Sequence, residues 1–264
     1  MDVLKRGYHN SLKVIKQHKL IFFSLIILQI LTLAILASVG IKFTILISEN
    51  NQEIGYYLDN ANYDSESLKS GQPFIKETVA LQKSYQSLIK NIWWLVLISF
   101  GIYLFFDGLN WSLTNYLFKK TNLFKNWLNF TILSLLFIVP VSLIIYSIFK
   151  SAVGIDLGVF ELVIYGLTFL AVITYYFLAV AYSFLEKDLQ SIFKNLQLIG
   201  IRKVFPVILV TISNLVLISI SLILIYLSQD NLLAMTASIL LLSLILTLTR
   251  IFFVGNLKSL SQKE

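Results

Sequence analysis

The sequence predicts an all-α integral membrane protein: a bundle of six transmembrane helices, with short interfacial amphipathic helices on one side and a helical hairpin outside the other. Three observations predict it. Hydrophobic residues make up 57% of the 264 residues and charged residues 13%, where a soluble domain carries about 45–50% and about 25%; mean hydropathy is +0.80. The apolar residues come in long unbroken runs, as spanning helices require, and not in the alternation of a membrane β-barrel. Each of six runs reaches the roughly 20 residues that cross about 30 Å of hydrocarbon. The whole of 1–264 therefore reads as one polytopic membrane domain.

The runs lie at Leu20–Ile47, Ile92–Phe118, Leu128–Phe149, Val159–Phe184, Val204–Ser228 and Leu232–Val254, the last two separated by Gln229-Asp230-Asn231. The first is too long for the 7–15-residue core of a signal peptide and reads as a retained span. With the N-terminus inside, the inner segments hold Lys5, Arg6, Lys13, Lys16, Lys19, Lys119, Lys120, Lys125, Lys187, Lys194, Arg202, Lys203, Lys258 and Lys263; the outer segments hold Lys69, Lys76, Lys83, Lys90 and Lys150. Fourteen against five places the basic side in the cytoplasm, and an even number of spans puts both termini there.

A basic amphipathic stretch precedes each odd-numbered span. In 1–19, Leu4, Tyr8, Leu12 and Ile15 share a helical face; in 185–203, Leu185, Leu189, Ile192, Leu196 and Ile199 do; in 119–129, Leu123, Phe124, Trp127 and Leu128 do so in miniature. Leu123-Phe124-Lys125-Asn126-Trp127 echoes Ile192-Phe193-Lys194-Asn195-Leu196, which suggests a unit of interfacial helix, span, outer turn and span repeated three times. Such helices lie in the headgroup plane with lysines toward phosphates, so Lys187, Lys194, Arg202 and Lys203 are candidate headgroup-binding residues. The outer connection, 48–91, reads as the hairpin: Asn60 to Gln72 as its tip, Pro73 in a first helical turn, and Phe74, Leu81, Tyr85 and Leu88 on one face leading into the second span.

Four charges fall within or at the ends of spans: Lys42, Asp107, Glu161 and Arg250. Lys42 and Glu161 stand near outer ends, where a charge can reach the interface. Asp107 does not. If Trp93 and Trp94 mark the outer interface, Asp107 lies about 20 Å further along its helix, near the bilayer midplane. A central Asp or Arg costs about 2.5–3.5 kcal/mol each on insertion scales, so Asp107 is expected to be neutral or paired, and Arg250 is the expected partner. Asn110, Thr114 and Asn115 follow on the same helix; Thr247 accompanies Arg250, and Asn214 sits in the fifth span. Together these seven residues form an expected polar seam among spans two, five and six, serving as helix–helix glue, as the lining of a conduit or cavity, or as a catalytic site.

Net charge is +7, yet the basic residues sit in short segments between apolar runs, which points to anionic lipid and not to nucleic acid. No cysteine is present, His9 and His18 are the only histidines, and no metalloprotease, nucleophile-elbow or P-loop motif occurs. No cofactor or metal is expected, and the balance is against an enzyme. Pro140 and Pro206 could kink spans three and five. The lead-in Ser191-Ile192-Phe193-Lys194-Asn195 running into a long span resembles a broad group of prokaryotic polytopic proteins similar to the membrane domain attached to some glycerophosphodiester phosphodiesterases. The resemblance is architectural and implies a helical bundle of non-enzymatic role; no stretch of the chain corresponds to the soluble phosphodiesterase domain, so that activity is not carried over. The leading expectation is a cell-membrane scaffold that binds lipids or other membrane proteins. The alternative is a small transporter or channel with a path along helices two, five and six.

Overall fold

The computed structural model describes residues 2–59, 78–151 and 157–261, and these are helical with short turns between. In chain order the helices are α1 (Asp2–Gln17), α2 (Lys19–Asp59), α3 (Thr78–Ile102), a π-helical turn (Tyr103–Asp107), α4 (Gly108–Phe118), α5 (Leu123–Ser151), α6 (Leu157–Tyr182), α7 (Leu189–Asn195), a second π-helical stretch (Leu196–Ile201), α8 (Val204–Leu227) and α9 (Leu232–Ser261). Among the described residues six helices are long and apolar enough to cross a membrane, with α3, the π turn and α4 running on as one of them. The architecture is thus all-α and multi-pass. Residues 60–77, including Pro73 and Phe74 of the expected hairpin, and 152–156, between spans three and four, lie outside the described residues.

The chain divides into two compact units, Leu31–Tyr103 and the combination of Met1–Ile30 with Leu104–Glu264. In the first unit, which holds α2 from Leu31 onward, that helix does not stop where its apolar run ends but continues to Asp59. Ser84 of α3 donates to the Glu53 carboxylate at 2.6 Å, joining the two polar arms. The buried position on α3 there is Ser84, while Tyr85 of the expected apolar face is exposed.

In the second unit the lead-in segments pack in three different ways. α1 is a separate short helix ahead of the first span; of the expected face Leu12 is exposed while Tyr8 and Ile15 are partly buried, and the Leu4 side chain lies outside the described residues. The buried positions of α1 are Gly7 and Ser11, one strip over, and Leu12 is exposed. Small residues let two helices approach closely: a Cβ at Gly7 would come within 2.8 Å of the Asn256 Cα, and one at Gly255 within 3.2 Å of the Gly7 carbonyl. Ser11 donates to the Gly7 carbonyl at 2.9 Å and reaches the Ile251 carbonyl at 3.4 Å. Tyr8 packs near Phe252 with ring centroids 4.9 Å apart. Val14 and Ile15 pack on a core of Leu25, Leu117 and Ile251. The close contact with α9 decides the orientation of α1.

The segment 119–129 is not a separate interfacial helix. Asn122 caps α5, its side chain accepting from the Phe124 and Lys125 amides at 3.0 and 3.3 Å, so Leu123, Phe124 and Leu128 belong to the first turns of the span. In 185–203 the apolar face is present but turned inward: Leu185, Ile192 and Ile199 are fully buried in protein. With one lead-in docked on α9, one merged into its span and one broken by a π stretch, the three expected repeats differ in build. Pro140 lies inside α5 as expected. Pro206 occupies the first turn of α8, where a missing N–H breaks no helical bond, so it is a helix start and not a kink.

The α1–α9 contact yields a direct expectation. Gly7→Val overpacks it and should cost about 1–3 kcal/mol, read as a lower Tm and as faster tryptic cleavage at Lys13 and Lys16. Cleavage at the wild-type rate would show that α1 is not held by this crossing.

Candidate functional site

The π turn ends on Asp107. A π turn inserts one extra residue into the helical ladder and rotates the residues after it; here it also frees a carbonyl. The Leu104 oxygen accepts from the Trp127 indole of α5 at 3.1 Å. At the second π stretch, Arg202 N–H donates to the Gln197 carbonyl and Lys203 N–H to the Ile199 carbonyl, and the Gly200 carbonyl accepts from the Tyr176 hydroxyl of α6 at 2.9 Å. Gly108, just after the first turn, lets the Trp127 and Phe130 rings approach to where a Cβ would meet them at 2.8 and 2.9 Å.

So positioned, Asp107 meets Arg250. The Arg250 Nη2 stands 3.2 Å from the Asp107 Oδ1 and donates to the Gln29 Oε1 at 2.9 Å. The guanidinium carbon lies 5.6 Å from the Trp111 ring centre, in cation–π range. Gln29 is 4% exposed, and the Arg250 and Asp107 side chains 11% and 21%. Three spans, α2, α3–α4 and α9, are thereby joined at one charged centre. Gln29 was not among the expected residues, although a glutamine in the middle of the run Leu20–Ile47 is a polar group as anomalous there as a charge.

The rest of the expected seam does not form one line. Asn115 donates to the Trp111 carbonyl at 3.0 Å and to the Tyr182 carbonyl of α6 at 2.7 Å. The Tyr182 hydroxyl is 2.7 Å from the Ser134 hydroxyl, and its ring packs against Phe130 and Trp111. Asn214 donates to the Thr249 carbonyl at 3.2 Å, joining α8 to α9. Thr114 and Thr247 bond back to their own helices, at Asn110 and Ser243. Asn110 is fully buried, and among the described residues neither of its amide atoms has a hydrogen-bond partner. Of the expected grouping, Asp107–Arg250 links spans two and six and Asn214 links five and six, while Gln29 adds span one and Asn115 ties span two to span four. Lys42 and Glu161 are both exposed.

The basic end of this unit holds a second buried ion pair, which the sequence reading missed. Lys258 Nζ lies 3.1 Å from Glu186 Oε1, with the Glu186 side chain 6% exposed, and 5.3 Å from the Phe118 ring centre. Glu186 stands in the charged turn Glu186-Lys187-Asp188. Its neighbour Lys187 donates to the Asn195 side chain at 3.1 Å and lies 5.0 Å from the Phe184 ring. Asp188 caps α7, and hydrogen bonds from Ser191, side chain first and backbone second, hold its carboxyl below the usual aspartate range. Lys203 donates to the Leu260 carbonyl at 3.0 Å, in the last turn of α9. Of the four expected headgroup residues, Lys187 and Lys203 are thus turned to protein partners, and Lys194 and Arg202 stand exposed. Among the described residues no group of three or more His, Cys, Asp or Glu could hold a metal ion.

The aromatic caps on the π turns are testable. Trp127→Phe keeps the ring and strands the Leu104 carbonyl, which should destabilise the protein by about 1–3 kcal/mol, whereas Trp94→Phe, at a half-exposed position, should leave Tm unchanged. Equal Tm values for the two variants would remove the capping role.

Chemically the charged centre can tie helices and hold a dipole, and its two charges cancel. No known protein family, curated protein or solved structure matches the chain.

Proposed function

We propose that the chain is a non-enzymatic, multi-pass protein of the cell membrane that acts by binding anionic lipid headgroups at its basic end, which faces the cytoplasm together with both termini. The observation that carries this reading is α1. Its Gly7–Ser11 strip is fixed against α9, and that docking leaves Lys5, Arg6, His9, Lys13 and Lys16 exposed on the opposite side. Lys5, Arg6, His9 and Asn10 border an open depression there. Lys194 and Arg202 add exposed charge beside the exposed Phe193 and Phe205 rings, the pairing of a basic and an apolar contact that an interface favours. Division of the polar residues into separate inter-helix ties supports a structural role for them, and weakens a continuous path along spans two, five and six.

Native mass spectrometry of the purified full chain tests this. Each basic residue near an anionic surface contributes about 1 kcal/mol. Reversing Lys5, Arg6, Lys13 and Lys16 to Glu should therefore lower retention of phosphatidylglycerol or cardiolipin at least tenfold, and salt should do the same to the wild type. Reversal of Lys83 and Lys90 should leave it intact. Retention indifferent to both charge reversal and salt would overturn the lipid reading, and a C-terminal reporter active only outside would overturn the orientation.

A further inference from the structure

The buried asparagines of this chain behave in two ways. At Asn115, Asn129 and Asn214 the amide nitrogen reaches a carbonyl on another helix or loop, at 2.7, 2.9 and 3.2 Å. Asn126 bonds to Thr121, and Asn50, Asn195 and Asn256 bond to carbonyls one turn back. Each is a tie, within a helix or between elements, and each uses its donor. Asn110 is different. It is fully buried in the described structure, and both its Nδ2 and its Oδ1 are without partners. It therefore ties nothing, and glue does not explain it.

Asn110 stands three residues beyond Asp107 on the same helix, a spacing that makes side chains neighbours. Asp107 in turn meets Arg250, which also donates to Gln29. In a lipid-embedded bundle an orphaned amide has no bulk solvent to turn to. Its donor and acceptor together suit a molecule that both gives and takes hydrogen bonds. The charges of Asp107 and Arg250 cancel, so the neighbourhood favours a neutral dipole over an ion. Buried waters typically make about three hydrogen bonds to groups that are otherwise unsatisfied. We infer that Asn110 is the anchoring group of an internal hydration site beside the Asp107–Arg250 pair, with water as its occupant. The pair is then a hydrated centre: water at Asn110 gives the Asp107 carboxylate, which is one-fifth exposed, a hydrogen-bonding neighbour besides Arg250.

The experiment uses the full chain in nanodiscs and combines X-ray radiolytic footprinting with thermal denaturation. Hydroxyl radicals made from bound water label the side chains beside it. Trp111, whose ring lies 5.6 Å from the Arg250 guanidinium and which is buried, should be labelled in the wild type although bulk solvent does not reach it. Asn110→Leu, close in volume and unable to hold water, should abolish that labelling and lower Tm by several degrees; Asn110→Ser, which keeps a polar anchor and leaves more room, should retain the labelling. A dry site gives the opposite signs, because removing two orphaned atoms stabilises a dry core: Tm would rise in Asn110→Leu and Trp111 would stay unlabelled in every protein. If Asn110→Leu does not fold, the wild type alone decides: an unlabelled Trp111 overturns the inference.

Discussion

A carboxylate and a guanidinium carried within apolar spans must find each other or forgo their charges, and that requirement shapes three spans at once. Unpaired, Asp107 and Arg250 would together cost about 5–7 kcal/mol on insertion scales. The structure meets the requirement with one 3.2 Å contact, a 2.9 Å hydrogen bond to Gln29 and the Trp111 face. Each partner comes from a different helix, so relief of the cost is also the assembly of α2, α4 and α9. An all-apolar interface would offer no comparable reason for a fixed register, since lipid tails are as apolar as Leu and give helices no hydrophobic drive to associate. The surrounding contacts reinforce the same grouping. Leu25, on the turn before Gln29, packs with Leu117 and Ile251, and Ser11 of α1 reaches the Ile251 carbonyl next to Arg250.

The π turns show how the backbone is adjusted to serve that centre. A helix in lipid satisfies its own carbonyls, and a π turn breaks that rule locally. Within each irregular stretch one carbonyl accepts from an aromatic donor of a neighbouring span, Leu104 from Trp127 and Gly200 from Tyr176. The first break lies directly before Asp107, so it sets the direction in which that side chain and the polar residues after it point. The second follows α7 directly, so that Ile192 in α7 and Ile199 in the π stretch both turn into the protein. In both cases a backbone irregularity and the polar tip of an aromatic ring act as one feature.

Much of this was legible in the residues. The spans follow from run length, because about 30 Å of hydrocarbon demands it, and the Asp107–Arg250 contact follows from the cost of isolated charge. Asn231 and Asn122 at helix starts are readable by residue type. The features that escaped depend on the partner and not on the helix itself. Amphipathic faces in 1–19 and 185–203 carry apolar residues whether lipid or protein covers them, so periodicity cannot separate the two; the Gly7–Asn256 and Gly255–Ser11 approaches decide it for α1. Lys187 and Lys203 read as headgroup ligands because a basic loop gives no hint of an Asn195 or Leu260 acceptor 8 or 57 residues away. Glu186 was hidden among the alternating charges of a turn, and the π turns leave no mark in hydropathy. Gln29 could have been found by treating every mid-span amide as a group in need of a partner.

The central claim is that Asp107 and Arg250 stabilise the fold through each other, and a double-mutant cycle in a reversible membrane unfolding assay tests it most directly. Asp107→Asn and Arg250→Gln should each cost about 3–5 kcal/mol, because each leaves the other charge buried without its counter-ion, and the double variant should cost less than the sum by about 0.5–3 kcal/mol. Strict additivity of the two single effects would contradict the account and leave Arg250 held by Gln29 and Trp111 alone.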